Sequence, residues 1–525
     1  MSTLNTAYRW LKKTLIRKEM LCLCLIAGLC MGLFAHGFMF ANKIYNHDDL
    51  EYYDDLGNVG VHSGRYFLHF FWKLFSDMST PWLNGIWGVL FLCFSSFFLC
   101  DAFELRQRWQ MLIISAVIQM NPINVSTYCY MFTAHVYMLA LMLATMAPWL
   151  LKQEKGWYRF PLVALVVMMA TGIYQVFLMY SIGLLILLVV FEVQKSVAKG
   201  EQNAGRLWGY AIWVAAAAIA GLVLYMVGLK LIQQVAGVQL NDYQGINETG
   251  KLTLSLIPGK IVQAYQKVLA FYLTDVPNYV NNRMWVFRGP LAVIAVAWLA
   301  VGVIRCLLRK AFWQALLTLL CALLLPLACY GINFMGDKIE IHMITLYPMI
   351  LVLLIPVILL RTDNKEHLSL RNLLAAGMLC LYMGYSFNCL ILCNQAYYRH
   401  YMAFSRAEHL AARIAARIEE LPEYERDCKI DVVGSLPETG SLFYNENYLI
   451  WRFQPFVGIR MESDYSWDYT FPNMLNAVIG LPVEWVGDEW ADDPAAVEAV
   501  QQMPCYPQEG SIAFVNDVCI IKFSN

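Results

Sequence analysis

Carboxylates crowd the segment that directly follows the first long apolar run. Five of them lie within eight residues: Asp48, Asp49, Glu51, Asp54 and Asp55. A carboxylate in water-limited surroundings can act as a general base, taking a proton from a hydroxyl about 3 Å away. Neighbouring carboxylates raise one another's pKa, which favours proton uptake. Adjacent acids can instead ligate a divalent cation through oxygen, and a solvated acidic loop is the third interpretation.

Helical spacing would separate the roles of the first two acids. If a helix begins at Asp48, residues i, i+3, i+4 and i+7 align on one face. That face would carry Asp48, Glu51, Tyr52 and Asp55. Asp49 would point to a different side, so Asp48 and Asp49 need not serve one role. The pattern does not decide which of the two is a base.

A short element with one arginine follows the acids. It reads His62-Ser-Gly-Arg65-Tyr. An arginine at the depth of lipid headgroups can hold a phosphate through two parallel hydrogen bonds. An arginine that extends its charged head to water past an apolar surface is the alternative. Arg288 and Lys338 lie on the same predicted side of the membrane and are further candidates for the phosphate.

The elements that must position these residues are membrane spans. Hydrophobic residues make up 59% of the 525 residues and charged residues 15%, with a mean hydropathy of +0.49, whereas soluble domains carry roughly 25% charge. A net charge of −1 provides no basic field for nucleic acid. A run of about 20 apolar residues crosses the hydrocarbon layer. Such runs lie at 20–41, 82–101, 109–124, 130–151, 160–173, 175–193, 208–232, 285–304, 312–331, 343–360 and 373–393.

The sequence therefore predicts an all-α polytopic membrane protein with about 11 transmembrane helices. The short runs 109–124 and 160–173 are expected to form tight hairpins with their successors. With the N-terminus placed in the cytoplasm, inner segments hold 19 Lys and Arg residues, and outer segments before residue 394 hold ten. This is a positive-inside pattern, and it places the acidic loop and the C-terminus outside. Segments 64–76 and 259–275 are predicted to lie in the interface.

Two domains are predicted, a transmembrane domain of residues 1–393 and a small extracytoplasmic α/β domain of residues 394–525. The second contains a helical stretch over roughly 396–420, a strand from Lys429 and a hairpin that turns at Asn516-Asp517. Cys428, Cys505 and Cys519 lie in this region, where two of the three could pair outside the cytoplasm. No phosphate-binding loop, zinc-binding helix or nucleophile elbow is present in the sequence. The inner loops are too short for a nucleotide-sugar domain, so any substrate is lipid-borne or met outside.

The ordered combination of these elements resembles the bacterial type-II glucosyltransferases, the serotype-converting O-antigen family. The resemblance covers nearly the whole chain. The elements that carry it are Asp48-Asp49, Gly64-Arg65-Tyr66, Gly172-Ile-Tyr174-Gln175 and the closing stretch from Met503. It implies a GT-C-like fold in the bacterial inner membrane. It also implies transfer of a sugar, glucose, from a polyprenyl-phosphate carrier to a surface glycan such as O-antigen on the outer face.

The resemblance further implies residue roles. Asp48 or Asp49 would be the catalytic base, and Arg65, with Lys338 and Arg288, would bind the donor phosphate. Supporting positions would be Glu51, Asp55, His62, Tyr174 and Gln175. Leu50 separates Asp49 from Glu51, which departs from the Asp-Glu pairing of some GT-C relatives. No cofactor is obligatory, because the carrier phosphate leaves as a stable dianion, although a divalent cation is compatible with the acids.

A flippase or transporter of lipid-linked glycans is the alternative from another class. It predicts ionisable residues near the bilayer midplane, whereas the apolar runs here are nearly free of charge and Asp101, Glu104 and Glu192 lie at their inner ends. A glycan polymerase of the same fold class is a third hypothesis. The sequence leaves open the acceptor, the linkage, any metal requirement, the oligomeric state and the role of residues 394–525.

Overall fold

Helices account for all eleven apolar runs in the computed structural model. The structure describes residues 2–52, 55–57, 59–153, 156–201, 203–240, 252–274, 284–337, 339, 341–360, 370–435 and 470–525. Within these residues, eight helices are long and apolar enough to cross a membrane, and two further apolar helices are shorter, Arg159–Ile173 and Met343–Leu359. The chain is therefore a polytopic helical membrane protein, while the total of 11 spans stays a prediction.

The first sixteen α-helices are numbered in chain order. They are α1 (Ser2–Ala41), α2 (His47–Glu51), α3 (Val59–His62), α4 (Tyr66–Phe75), α5 (Pro81–Ala102), α6 (Arg108–Gln119), α7 (Ile123–Cys129), α8 (Met131–Lys152), α9 (Arg159–Ile173), α10 (Val176–Ala198), α11 (Ala204–Ala236), α12 (Ile257–Leu273), α13 (Trp285–Leu308), α14 (Phe312–Cys329), α15 (Ile350–Leu359) and α16 (Leu370–Glu419). Helix α8 packs between α5, α9 and α10, and its inward side is buried. The predicted interfacial segments correspond to α4 and α12.

The junction near residue 121 differs from the tight hairpin that the sequence predicts. Helix α6 ends at Gln119, because Pro122 lacks the N–H that would continue the ladder, and the short buried helix α7 leads on to α8. The side-chain amide of Asn124 donates to the carbonyls of Ile118 and Gln119, at 2.8 Å each. These bonds satisfy carbonyls that a helix leaves unpaired at its C-terminus.

Helix α16 runs without a break through residue 394, where the sequence predicts the domain boundary. It has 50 residues and ends at Glu419. No glycine or proline lies between Tyr385 and Pro422, so nothing local stops the helix until the residues before that proline. The polar stretch predicted over 396–420 is therefore the second half of one long helix.

A four-stranded sheet follows, with strand order β2-β1-β4-β3. Its strands are β1 (Cys428–Val433), β2 (Val483–Trp485), β3 (Ile512–Val515) and β4 (Val518–Lys522). Strand β1 pairs in parallel with β2 and β4, and β3–β4 is antiparallel. Asn516 and Asp517 have φ of 47° and 62°, as a two-residue hairpin turn requires. The hairpin is thus confirmed. All fifteen cysteines, each within the described residues, are free thiols, so the possible disulfide is not formed.

A network of ion pairs joins helix ends on the side that the sequence predicts to be cytoplasmic. Each of two carboxylates bridges two cations. The pairs are Asp101 with Arg17 (2.8 Å) and Arg106 (3.0 Å), and Glu104 with Lys152 (3.0 Å) and Lys195. Because these residues come from α1, α8, α10 and the end of α5, the network fixes four elements relative to one another.

Replacing Glu104 with Gln is expected to lower stability at neutral pH by about 1 kcal/mol, the scale of a partly exposed ion pair. Burial raises the pKa of Glu104, but the hydrogen bonds and charges of Lys195 and Lys152 outweigh burial and lower it to about 2 from 4.5. A lowered folded-state pKa means that the stabilisation is present above pH 4.5 and is lost as the pH falls toward 2. Thermal unfolding of purified protein at pH 7 and pH 3 would measure this, with the exposed Glu19→Gln as control. Equal midpoints for Glu104→Gln and the parent at pH 7 would contradict the expectation.

Candidate functional site

Asp49 joins the acidic segment to the start of α8. Helix α2 begins after Asn46, whose side chain accepts from the Asp49 N–H at 2.8 Å. The Asp49 side chain is fully buried. Its carboxylate accepts from the Ser79 hydroxyl at 3.0 Å and from the N–H groups of Phe132 (2.9 Å) and Met131 (3.2 Å). Met131 and Phe132 open α8, so Asp49 lies where unpaired N–H groups and the helix dipole favour an anion.

The protonation of Asp49 is set by two opposing effects. Burial raises its pKa, and the hydrogen bonds from Phe132, Ser79 and Met131 lower it, with a net rise from 3.8 to about 7. Removal from water disfavours the charged form of a carboxyl. Asp49 therefore changes its charge near neutral pH while remaining out of contact with solvent.

Asp48 occupies a different environment on the same helical turn. It is partly exposed, and its carbonyl accepts from the Tyr52 N–H at 2.9 Å. Helix α2 ends at Glu51, which is also partly exposed. Because the helix is one turn long, Asp55 does not continue the face predicted for a longer helix. Asp55 is exposed and accepts from the Gly57 N–H at 2.9 Å in a loop.

The turn before α4 is clamped by two distant elements. Gly64 has φ of +71°, a left-handed conformation that glycine adopts without strain. The Gln175 amide donates to the Ser63 carbonyl at 2.7 Å, and the Tyr225 hydroxyl donates to the Gly64 carbonyl at 3.1 Å. A Cβ atom on Gly64 would lie 2.9 Å from the Gln175 Nε2 and 3.0 Å from the Tyr225 oxygen. Arg65 follows directly, and its N–H donates to the Gly60 carbonyl at 2.6 Å.

The Arg65 side chain lies on an aromatic platform. Its guanidinium carbon is 4.4 Å from the centroid of the Tyr174 ring, and an Nη donates to the Tyr137 hydroxyl at 3.1 Å. The rings of Tyr137 and Tyr174 stack with centroids 5.0 Å apart. A cation over an aromatic face is attracted to the ring. The platform therefore orients the guanidinium, and Arg65 as a whole residue is partly exposed.

Helix α8 brings the two parts of the site together. Asp49 binds its first two residues, and Arg65 binds Tyr137 of the same helix. Tyr137 lies six positions after Met131, which is about 9 Å along the axis at 1.5 Å per residue. Asp49 and Arg65 are thus anchored to the first two turns of one helix, although 16 positions separate them in the sequence.

The remaining predicted positions lie elsewhere. Arg288 is buried, donates to the Thr274 carbonyl at 3.1 Å and lies 4.8 Å above the Phe271 ring, so these contacts are to α12 and the residue after it. His62 contacts the Gln239 carbonyl at 3.0 Å. Lys338 lies outside the described residues. No described group of three or more His, Cys, Asp or Glu side chains is arranged to hold a metal ion, and Asp54 is not among the described residues.

Three site residues were missed by the sequence interpretation: Ser79, Tyr137 and Tyr225. Tyr137 and Tyr225 lie inside apolar runs, where an aromatic side chain is ordinary packing material. Ser79 precedes Thr80 and Pro81 at the start of α5 and resembles any residue ahead of a helix. Their roles follow from contacts between segments 30 to 161 positions apart, for which the sequence holds no local signal.

The protein is expected to lose stability as the pH rises from about 4 to 7, because of Asp49. Its folded-state pKa of about 7 lies above the ordinary value of 3.8, so in this interval the native state binds a proton that the unfolded state has released. An Asp49→Asn variant, which cannot ionise, should show a flatter dependence. Thermal unfolding at pH 4 to 8 would measure both, and Asp55→Asn serves as an exposed control. Parallel pH profiles for the parent and Asp49→Asn would refute this assignment.

The comparison with known proteins bears on what this geometry serves. No curated protein and no solved structure matches the chain. The sequence model of one family, Glucosyl transferase GtrII, matches residues 37–353, which is more than half of the chain. The matched region contains the acidic segment, Arg65 and its platform, and the start of α8. The chain therefore belongs to the GtrII glucosyltransferase family, and it is a membrane-embedded glycosyltransferase.

Proposed function

We propose that the protein transfers glucose from a polyprenyl-phosphate carrier to a surface glycan, such as O-antigen, on the outer face of the bacterial inner membrane. One observation carries the proposal: the acidic segment and Arg65 converge on the first two turns of α8. When one helix positions both a base and an arginine, the base can act on the acceptor hydroxyl while the arginine binds the phosphate that leaves the sugar.

Arg65 is proposed to bind the donor phosphate. It precedes α4, whose Phe70 and Leu74 are 59% and 62% exposed, while Tyr66, Leu68, Phe71 and Trp72 face the protein. A short helix with exposed apolar residues is suited to the membrane interface, which supports a position of Arg65 at the depth of a lipid phosphate. Two parallel hydrogen bonds from the guanidinium would then fix the phosphate. Lys338 and Arg288 remain predicted phosphate ligands, and Glu51, Asp55 and His62 predicted supporting residues.

Asp48 is proposed as the base, and Asp49 as the residue that positions it. The Asp49 carboxylate is fully buried and is held by three donors, so an acceptor hydroxyl cannot approach it without opening the start of α8. Asp48 is its immediate neighbour and is partly exposed. A group that abstracts a proton must come within hydrogen-bond reach of the substrate.

The transfer is a single displacement. Asp48 takes the proton of the acceptor hydroxyl while the oxygen forms a bond to the anomeric carbon. The bond from that carbon to the phosphate oxygen breaks, and its electrons leave with the polyprenyl phosphate as a dianion. Attack from the side opposite the leaving group inverts the anomeric configuration. The electron balance requires no cofactor, and a divalent cation at the phosphate would be compatible with it.

Asp48→Asn is expected to lower the transfer rate by about 10²–10⁴-fold, the usual contribution of a general base. The KM for the donor should change little, because Asp48 acts on the acceptor. The measurement is transfer of radiolabelled glucose from polyprenyl-phosphate glucose to lipopolysaccharide by purified protein. Asp77→Asn removes an exposed charge between α4 and α5, at a position without a proposed role, and should retain the parent rate. A fully active Asp48→Asn protein would exclude this role, and movement of the lipid between leaflets without sugar transfer would indicate a flippase.

Arg65→Gln is expected to raise the KM for the donor at least about tenfold, since one hydrogen bond to a charged group is worth about 1.5–3 kcal/mol and 1.4 kcal/mol is a factor of ten. Arg65→Lys should recover only part of this, because an ammonium cannot form the paired bonds of a guanidinium. Initial rates at varied donor concentration separate KM from kcat. Tyr137→Phe, which keeps the guanidinium but removes its acceptor, is a milder comparison. An unchanged donor KM in Arg65→Gln would remove Arg65 from the donor site.

A further inference from the structure

A basic cleft lies at the end of the helix bundle opposite Asp49. Its volume is about 460 Å³, and it is formed where α8 and α10 end and α9 and α11 begin. Five of the described side chains that line it are cations: Lys152, Arg159, Lys195, Lys199 and Arg206. Two lining carboxylates, Glu192 and Glu201, face them. The proposed transfer reaction uses none of these residues.

The cations of this cleft divide into two groups by their partners. Lys152 and Lys195 are paired with Glu104, and Lys152 also with Glu192, so these four charges balance. An Nη of Arg159 donates to the Leu151 and Gln153 carbonyls at 2.6 and 3.2 Å. Because both acceptors are neutral, these bonds do not compensate the positive charge of Arg159.

Lys199 and Arg206 are exposed and form no ion pair with any residue that the structure describes. Among the described residues that line the cleft, Arg159 and these two cations set three positive charges against Glu201. An excess of this kind in a concave site attracts an anion.

The surroundings of the cleft identify the kind of anion. Trp157 and Tyr158, which precede Arg159, are 85% and 46% exposed, and tryptophan and tyrosine gather at the depth of lipid headgroups. The neighbouring surfaces of α9 and α11 expose apolar side chains: Leu162, Leu165, Ile212 and Ile219 are 38%, 42%, 66% and 61% exposed. A ligand with a phosphate in the cleft and acyl chains along these helices would satisfy both surfaces.

We propose that this cleft binds the headgroup of an anionic phospholipid, with its phosphodiester between Lys199, Arg206 and Arg159. Basic pockets between transmembrane helices on the cytoplasmic side bind acidic headgroups in this way. The bound lipid would connect the start of α11 to the start of α9 and the end of α10 through charges that no described residue compensates. This inference does not depend on the proposed transfer reaction.

The experiment compares lipids and matched double variants in the full-length protein purified in detergent. Phosphatidylglycerol is expected to raise the thermal midpoint of the parent, whereas phosphatidylcholine, which has a neutral headgroup, should not. The variant Lys199→Gln/Arg206→Gln should lose at least half of that rise and, in native mass spectrometry, retain fewer phosphatidylglycerol molecules. The control Lys18→Gln/Arg108→Gln removes two exposed cations from the same end of the bundle, outside the cleft, and should keep the full rise.

Three outcomes would overturn the proposal. An equal loss in the control variant would show a general effect of surface charge. A rise produced equally by water-soluble glycerol phosphate would identify a site for free phosphate in place of a lipid. An unchanged response in Lys199→Gln/Arg206→Gln would exclude the cleft altogether. If the double variant unfolds before the lipid is added, the single variant Lys199→Gln, at an exposed position, provides the same comparison with a smaller expected loss.

Discussion

The arrangement of the site depends on the hydrogen bonds between the Asp49 carboxylate and the first residues of α8. A buried carboxylate is costly unless donors surround it, and the opening turn of a helix supplies N–H groups that the helix cannot use itself. Tyr130, with φ of −95° and ψ of 65°, interrupts the helical backbone between α7 and α8. The N–H groups of Met131 and Phe132 are therefore free to bind Asp49. The acidic segment therefore cannot slide along this end of the bundle without leaving both the Asp49 carboxylate and the first N–H groups of α8 without hydrogen-bond partners.

Helix α8 also contributes to the fixed position of Arg65, although this arginine lies in a connecting segment between helices. Tyr137 of α8 and Tyr174 at the α9–α10 turn form its platform, while Gln175 and Tyr225 grip the backbone just before it. Each contact comes from a different packed helix or its end. Several contacts therefore fix the position of Arg65, and a side chain so restrained would lose little freedom on binding the phosphate proposed for it.

The features predicted correctly from the sequence have local causes, whereas the contacts that assemble the site join residues far apart in the chain. Apolar runs indicated the long apolar helices, and Asn516-Asp517 indicated the hairpin, because hydrophobic length and turn chemistry act locally. The predicted membership of the glucosyltransferase family is also confirmed. Tyr174-Gln175 marked a real turn next to Arg65. The end of α6 and the unbroken α16 have local causes, Pro122 and the lack of Gly or Pro between Tyr385 and Pro422, which the pattern of apolar runs alone does not show. The contacts of Tyr225 with the backbone before Arg65 join residues 161 positions apart. The difference between Asp48 and Asp49 likewise arises from burial against α8, which adjacent identical residues cannot reveal.

The difference in burial between Asp48 and Asp49 is consistent with separate roles for the two acids in the proposed reaction. Because burial moves the pKa of Asp49 to about 7, near neutral pH it carries a proton for part of the time. When Asp49 is neutral, the ionised form of Asp48 experiences no repulsion from its neighbour, since like charges disfavour one another. When Asp49 is charged, its charge is directed at the α8 N–H groups and the Ser79 hydroxyl, and not at solvent. In both states the proposed base, Asp48, stays partly exposed, while the buried Asp49 keeps its contacts with the start of α8.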